Sequence, residues 1–309
     1  MFVLYDSTFD GLLSAVAYCL RRRFQPLGLQ SELDQQPLLE SIAVPCEKNI
    51  RRLFRRHLSS VMGPADAESV LDMVFRAFLS EADGLATRIW QYLARALELG
   101  YNPADRLYEP VVAAVVAAAR RVSAQAHQYL GLLRFRKVGS GFYLADFEPD
   151  YHVLPLILAH FADRLADQDF VIRDLRRNLA AVHLAGGAIS LHILADAWCA
   201  PDSVLAFPAD CLLPPGDSAA GCLAVQDRLS VSARTDEDFA NMWRLYLQKL
   251  SIPERCNPDL QRANMPKKYW RYLVENPGVF NTKKQGGFPK ESALPKEPAA
   301  GSDRSGKYF

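Results

Sequence analysis

The fold class of this chain is decided by the stretch LLRFRKVGSGFYLADF, residues 132–147. Before it, apolar residues recur with the 3.6-residue period of helices. From Leu133 onward, apolar and polar side chains alternate as they do in strands. Gly139-Ser140-Gly141 separates two such runs, a pattern typical of a β-hairpin. The stretch therefore marks the point where a helical half gives way to a β half.

The residues before this stretch predict one strand and a series of helices. Phe2–Tyr5 is typical of a short buried strand, and Asp6-Ser7-Thr8 supplies residues suited to the N-cap of the helix that follows. The longest apolar run, from Pro110 to Ala119, is too short to cross a bilayer. The apolar spacing predicts helices over residues 9–20, 47–61, 65–80, 83–98 and 104–130.

The residues after the stretch predict an antiparallel β-meander with one inserted helix. The helix is expected over residues 153–165, and the strands over 170–173, 179–184 and 188–194. An irregular insertion (196–235), an amphipathic helix (236–250) and a disordered tail (281–309) follow. We therefore predict an α+β fold with one domain over residues 1–280, divided into a helical part (1–131), a mainly β part (132–235) and C-terminal helices (236–280).

Composition and charge exclude several classes of protein. The 309 residues carry a formal net charge of +1, so any basic surface must be local. The six cysteines are irregularly spaced without a C-x-x-C pair, which argues against a zinc site or a disulfide framework. The first residues lack the features of a signal peptide. We expect a cytoplasmic protein with reduced thiols, no metal, no cofactor and no membrane partner.

Two segments are rich in basic and aromatic residues, as nucleic-acid-binding surfaces are. The first runs from Arg120 to Ala145 without an acidic residue, and on a strand Arg134 and Arg136 would share one face. The second segment is Met265–Tyr272, which contains three positive and three aromatic residues. Its aromatic faces could stack on single-stranded or flipped bases while its cations hold phosphates. Packing of the aromatics and pairing of the arginines with acids remain alternatives. The candidate contacts are Arg134, Arg136, Lys137, Lys267, Lys268, Tyr269, Trp270 and Arg271.

Three residues offer an enzymatic alternative. His127 lies at the end of the long predicted helix, and His160 and Arg164 are one turn apart on the inserted helix. If those helix ends meet, the three side chains could form a pocket for a phosphate or a general base. A hydrolase acting on a damaged nucleotide would use such a pocket. The sequence lacks a Walker A loop, G-x-G-x-x-G, G-x-S-x-G and H-E-x-x-H.

Four motifs in order resemble those of an uncharacterised bacterial family associated with DNA metabolism and repair. They are VLYDSTFDGLL (3–13), HQYLGLLRF (127–135), PDYHVLPL with HFADR (149–164), and IPERCNP with MPKKYW (252–270). The resemblance covers roughly residues 1–275. This chain departs from the family at Ser7, where glycine is expected, at Cys256, where a basic residue is expected, and in its longer 196–235 insertion.

The resemblance implies a cellular context rather than a reaction. Members of that family occur alone or fused to a uracil-DNA-glycosylase-like domain, and the stand-alone form accompanies a radical-SAM protein related to spore photoproduct lyase. We therefore predict an accessory protein of DNA repair or modification that binds DNA (single-stranded or damaged), that radical-SAM partner, or both, without catalysis of its own. A purely structural interaction module is the second alternative to this function.

Overall fold

The computed structural model describes residues 1–33, 40–138, 142–187, 189–193, 242, 245 and 258–273. The chain separates into two compact units, Met1–Phe239 and Ala240–Phe309. The predicted single domain over residues 1–280 spans both units and stays a prediction. The α+β class is confirmed, because the first unit combines a layer of helices with two sheets.

The first sheet is small and parallel. Strand β1 (Phe2–Tyr5) lies between β2 (Leu29–Ser31) and β3 (Ser41–Ala43), and helix α1 (Phe9–Arg22) connects β1 to β2. Parallel neighbours need such a crossover connection. The sequence predicted β1 and α1 but not β2 or β3, because three residues are too few to show an alternating pattern.

The turn between β1 and α1 accounts for the polar residues and the glycine of the motif VLYDSTFDGLL (3–13). Thr8 caps α1 by accepting a hydrogen bond from the amide of Gly11, and Asp6 accepts bonds from the Thr8 amide (3.1 Å) and hydroxyl (2.6 Å). A side chain at Gly11 would place its Cβ 1.9 Å from Asp6 Oδ1. Ser7 has φ 66°, a left-handed conformation that favours glycine, the residue expected at this position.

Helices form the rest of the first half. Helix α5 buries valine and alanine side chains along one side and packs against α3 and α4. Its last turn continues to Leu132, two residues beyond the predicted end. The helices are α2 (Ile50–Met62), α3 (Pro64–Phe78), α4 (Leu85–Leu99) and α5 (Pro110–Leu132), with a 3₁₀ turn at Pro103–Asp105.

The second sheet has the order β4-β5-β6-β7-β8. Strands β4 and β5 form the predicted hairpin, and β6, β7 and β8 form an antiparallel meander. The prediction of a wholly antiparallel sheet is wrong at one pair: β5 and β6 are parallel, because helix α6 returns the chain to the starting end of the sheet. The elements are β4 (Arg136–Val138), β5 (Phe142–Phe147), α6 (Leu154–Arg164), β6 (Asp169–Asp174), β7 (Leu179–His183) and β8 (Ile189–Ile193).

The second unit is described over residues 258–273 and at Met242 and Leu245, which are helical and exposed. It contains helix α7 (Pro258–Asn264) and a 3₁₀ helix (Lys267–Tyr272). The predicted insertion (196–235), the rest of the predicted helix 236–250 and the predicted tail (281–309) lie outside the described residues. Among the described helices, none combines the length and the apolar character needed to cross a membrane.

Candidate nucleic-acid interface

The C-terminal half of α5 carries an exposed basic face. Arg120 and Arg121 are exposed, and neither makes an ion pair or hydrogen bond within the part of the chain that the structure describes. Helical spacing places Arg120, His127 and Gly131 along one line, so this face extends for about 16 Å. We call Arg120, Arg121, His127 and the Arg134 side chain at the helix end the basic face of α5.

Arg134 belongs to the end of α5 rather than to a strand. Its Nη1 donates hydrogen bonds to the carbonyl oxygens of Gly131 (2.6 Å) and Leu133 (3.2 Å). A guanidinium suits this position, because the last carbonyls of a helix carry partial negative charge. The prediction that Arg134 and Arg136 share a strand face is wrong, because α5 extends to Leu132 and β4 begins only at Arg136.

Arg136 is partly neutralised by a buried carboxylate. Its Nη2 lies 3.1 Å from Asp146 Oδ2, while Arg173 donates to both oxygens of Asp146 at 2.6 and 2.9 Å. The Arg136 side chain is 42% exposed, whereas that of Arg173 is fully buried. Arg136 can therefore face solvent, but its charge is shared with Asp146. Lys137, the next residue on edge strand β4, is exposed.

Helix α3 brings one more cation beside the basic face. Arg76 Nη1 donates to Ser123 Oγ on α5 at 3.3 Å, and Ser123 lies one turn from Arg120. Asp72 pairs with Arg76 at 2.7 Å and offsets part of its charge. The positive region therefore reaches from α5 onto α3.

The second predicted segment forms the 3₁₀ helix of the second unit. Lys267, Lys268 and Arg271 are exposed, as a phosphate contact requires. Tyr269 is 4% exposed, so it packs inside the protein and does not offer its ring to a base. Trp270 is half-buried, and its Nε1 donates to the Met265 carbonyl at 2.7 Å. The cations of this segment thus remain candidate phosphate contacts. Tyr269 instead packs in the interior, which is the alternative stated for the aromatic residues.

The residues of the predicted enzymatic pocket are all on the surface. Helices α5 and α6 do pack together, and His127, His160 and Arg164 are all exposed. No hydrogen bond, ion pair or ring contact joins any two of these three described side chains. Within the described residues, no group of His, Cys, Asp and Glu is arranged to hold a metal ion. The pocket stays a prediction.

An ion network centred on Arg177 was not predicted from the sequence. This arginine donates to Glu81 on the α3–α4 loop (2.6 Å) and to Asp174 at the end of β6 (3.1 Å). It also donates to the carbonyls of Pro149 and Asp150. Arg177 and Glu81 are 96 residues apart, and so no local pattern could have linked them.

His152 lies in the electric field of this network. Burial lowers the pKa of His152 below its usual 6.5, the positive charge of Arg177 lowers it further, and Glu81 opposes both. A depressed histidine pKa means that the unfolded chain binds more protons than the folded one below pH 6.5. The free energy of unfolding is therefore highest above that pH, and it falls as the pH falls through the pKa of His152 in the folded protein.

We expect the free energy of unfolding to fall between pH 8 and pH 5 by more in the wild type than in His152→Gln. The substituted side chain does not titrate, so this part of the pH dependence disappears. Urea unfolding at both pH values measures the difference. His57→Gln, which changes an exposed histidine, is the matched control and should keep the wild-type pH dependence. Equal pH dependence in His152→Gln and wild type would contradict the expectation.

These observations define an α+β protein whose described surface carries a basic face along α5 and no recognisable catalytic centre. A family model described as DUF4130, a domain of unknown function, matches residues 83–275, more than half of the chain. The chain therefore belongs to this family. The matched region begins just before α4 and contains α5 and the whole second sheet, whereas the parallel sheet precedes it. Comparisons with curated proteins and with solved structures gave no match.

Proposed function

We propose that this protein is a DNA-binding accessory protein of DNA repair or modification that contacts the phosphate backbone through the basic face of α5. One observation carries the proposal: on a chain of net charge +1, Arg120 and Arg121 are exposed and make no ion pair or hydrogen bond with the described residues. An exposed cation without a partner keeps its full attraction for phosphate and releases counterions when it binds.

The neighbouring elements support a contact longer than two residues. Arg76 on α3, which contacts Ser123 of α5, and the exposed Lys137 on edge strand β4, which follows α5 in the chain, add further positive charge. Contacts of this kind position a protein on DNA without reading its sequence. The proposed binding is therefore strong in low salt and tolerant of base sequence.

The proposal assigns catalysis to a partner. The resemblance stated above supports a radical-SAM protein related to spore photoproduct lyase as that partner. The exposed positions of His127, His160 and Arg164, without mutual contacts, give no support to a reaction at those residues. We propose that the protein brings DNA and its partner together.

The test is a salt titration of binding to single-stranded and duplex DNA, measured by fluorescence anisotropy. In Arg120→Ala/Arg121→Ala, the plot of log affinity against log salt concentration should become shallower by about 1 to 2 for the loss of two phosphate contacts. The matched control is Arg52→Ala/Arg56→Ala on α2, which removes two exposed arginines that make no ion pair with any described residue. Its slope should equal that of the wild type.

Either of two results would overturn this assignment. Equal losses in both double variants would mean that net charge alone matters and that the basic face has no special role. Absence of binding at low salt would remove DNA as a partner and leave the protein partner alone. A shallower slope in Lys267→Ala/Lys268→Ala would add the second unit to the contact surface.

A further inference from the structure

Two tyrosines are exposed in the loop that joins α4 to α5. Tyr101 is 41% exposed and Tyr108 is 75% exposed. Among the described residues, these two are the only aromatic side chains that are exposed rather than buried or half-buried. Aromatic side chains usually bury most of their surface, because their rings contribute strongly to packing. Two exposed rings in one loop therefore indicate a contact surface.

Arg106 holds both tyrosines. Its guanidinium donates to the Tyr101 hydroxyl from Nε (2.9 Å) and Nη2 (2.6 Å), and to the Tyr108 hydroxyl from Nη1 (2.9 Å). Glu109, the N-cap residue of α5, accepts from Arg106 at 3.1 Å and from Arg95 of α4 at 3.1 and 3.2 Å. The rings are thus restrained although they face solvent, which lowers the entropy lost when a partner binds. We call Tyr101 and Tyr108 the tyrosine pair.

The tyrosine pair presents aromatic surface rather than available charge. The charge of Arg106 is offset by Glu109, which also pairs with Arg95. The ring of Tyr108 makes no ring contact or cation–π contact with any described residue. Each tyrosine hydroxyl accepts a hydrogen bond from Arg106 and keeps its own hydrogen for a further acceptor. The free partner of this surface is therefore a flat ring with polar groups nearby.

Helical geometry places the tyrosine pair on the side of α5 that carries the basic face. Counted from Glu109, Arg120 lies about three turns further along the helix and His127 about five turns further. Whole turns bring these three residues onto one line, with about 16 Å between Glu109 and Arg120. Glu109 holds Arg106, and so the exposed rings lie at one end of this line and the exposed cations at the other.

Aromatic rings and cations along one surface are the combination that binds single-stranded nucleic acid. Successive bases stack on aromatic side chains while the phosphates meet positive charge. In a duplex the base faces are already stacked on one another, and so a tyrosine ring on the protein surface finds no free base face there. Exposed tyrosines also occur in protein interfaces. The position of this pair in line with the basic face favours the nucleic acid.

We propose that Tyr108 stacks on a base of single-stranded DNA whose phosphates lie on the basic face of α5. Tyr108 is the stacking residue because it is the more exposed of the pair, and Arg106 and Tyr101 are positioning residues. The inference rests on the proposed function and adds a substrate class to it. The tyrosine contact is one that single strands make and duplexes do not.

Tyr108→Leu tests the stacking contact. The substitution keeps an apolar side chain at an exposed position, so the melting temperature should stay at its wild-type value. Affinity for a fluorescein-labelled, single-stranded oligonucleotide of thymidines, measured by anisotropy, should fall by about tenfold. The slope of log affinity against log salt concentration should not change, because tyrosine carries no charge. Tyr108→Phe keeps the ring and should bind as the wild type does.

Two further probes show whether the ring contacts a base. An abasic oligonucleotide of the same length carries the same phosphates without the bases. The wild type should bind it about tenfold more weakly than the thymidine oligonucleotide, whereas Tyr108→Leu should bind both equally. Affinity for a duplex of the same length should be equal in Tyr108→Leu and wild type, because the duplex offers no free base face.

The outcomes separate this inference from the proposed function. A shallower salt slope in Arg120→Ala/Arg121→Ala, with unchanged single-strand affinity in Tyr108→Leu, would overturn the inference alone and leave the tyrosine pair to a protein contact. Equal binding of abasic and thymidine oligonucleotides by the wild type would also overturn it. Absence of DNA binding at low salt would overturn the proposed function, and the inference with it.

Discussion

Replacement of Arg173 by methionine is expected to lower the free energy of unfolding by about 3–5 kcal/mol, the usual cost of removing one partner of a buried ion pair. The Arg173 side chain is fully buried, and that of Asp146 is 8% exposed. The two residues are neighbours across the parallel pair β5–β6, and two hydrogen bonds of 2.6 and 2.9 Å join them. Methionine fills the space but leaves the carboxylate with the peripheral Arg136.

Two variants make this expectation specific. Arg136→Met removes the peripheral partner of the same carboxylate and should cost no more than about 1 kcal/mol, because that side chain is 42% exposed. Asp146→Leu/Arg173→Met replaces the buried pair with apolar groups and should recover much of the loss. Urea unfolding followed by circular dichroism measures all three. Equal costs for Arg173→Met and Arg136→Met would contradict the assigned roles.

Replacement of Arg177 by methionine is expected to cost about 3 kcal/mol, again because a buried carboxylate loses its partner. Asp174 is fully buried and, among the described residues, keeps only the amides of Arg176 and Arg177 as partners once the guanidinium is gone. Glu81 loses its arginine at the same time. The α3–α4 loop then loses its ionic link to the second sheet.

Arg176→Met is the matched control for this position. Arg176 is the preceding residue, its side chain is 57% exposed, and its contact with Asp150 is 3.7 Å long. It should change stability by less than about 1 kcal/mol. Hydrogen exchange should also become faster at the α3–α4 loop in Arg177→Met and not in Arg176→Met. Unchanged exchange at that loop would mean that other contacts hold it.

The two arginine networks also decide which cations are available to DNA. Arg136 shares its charge with Asp146, and Arg177 is committed to Glu81 and Asp174. Arg120 and Arg121 make no such pair within the described residues. The proposed interface therefore depends mainly on the arginines of α5 rather than on the strand arginines that the sequence favoured.

Local patterns in the sequence determined much of the architecture. Apolar periodicity located β1, the five helices before the second sheet and the change to strands after Leu132. Each of these signals comes from residues close together in the chain. The crossover through α6 was visible as a helix between two strands, but the sequence did not show that β5 and β6 pair in parallel.

Tertiary structure alone decided which polar residues act together. Arg173 pairs with Asp146 over 27 positions and Arg177 with Glu81 over 96, and so no spacing rule could join them. The physical reason is that hydrogen bonds, ion pairs and burial depend on distance in space. The sequence alone determines such distances only within one helix or hairpin.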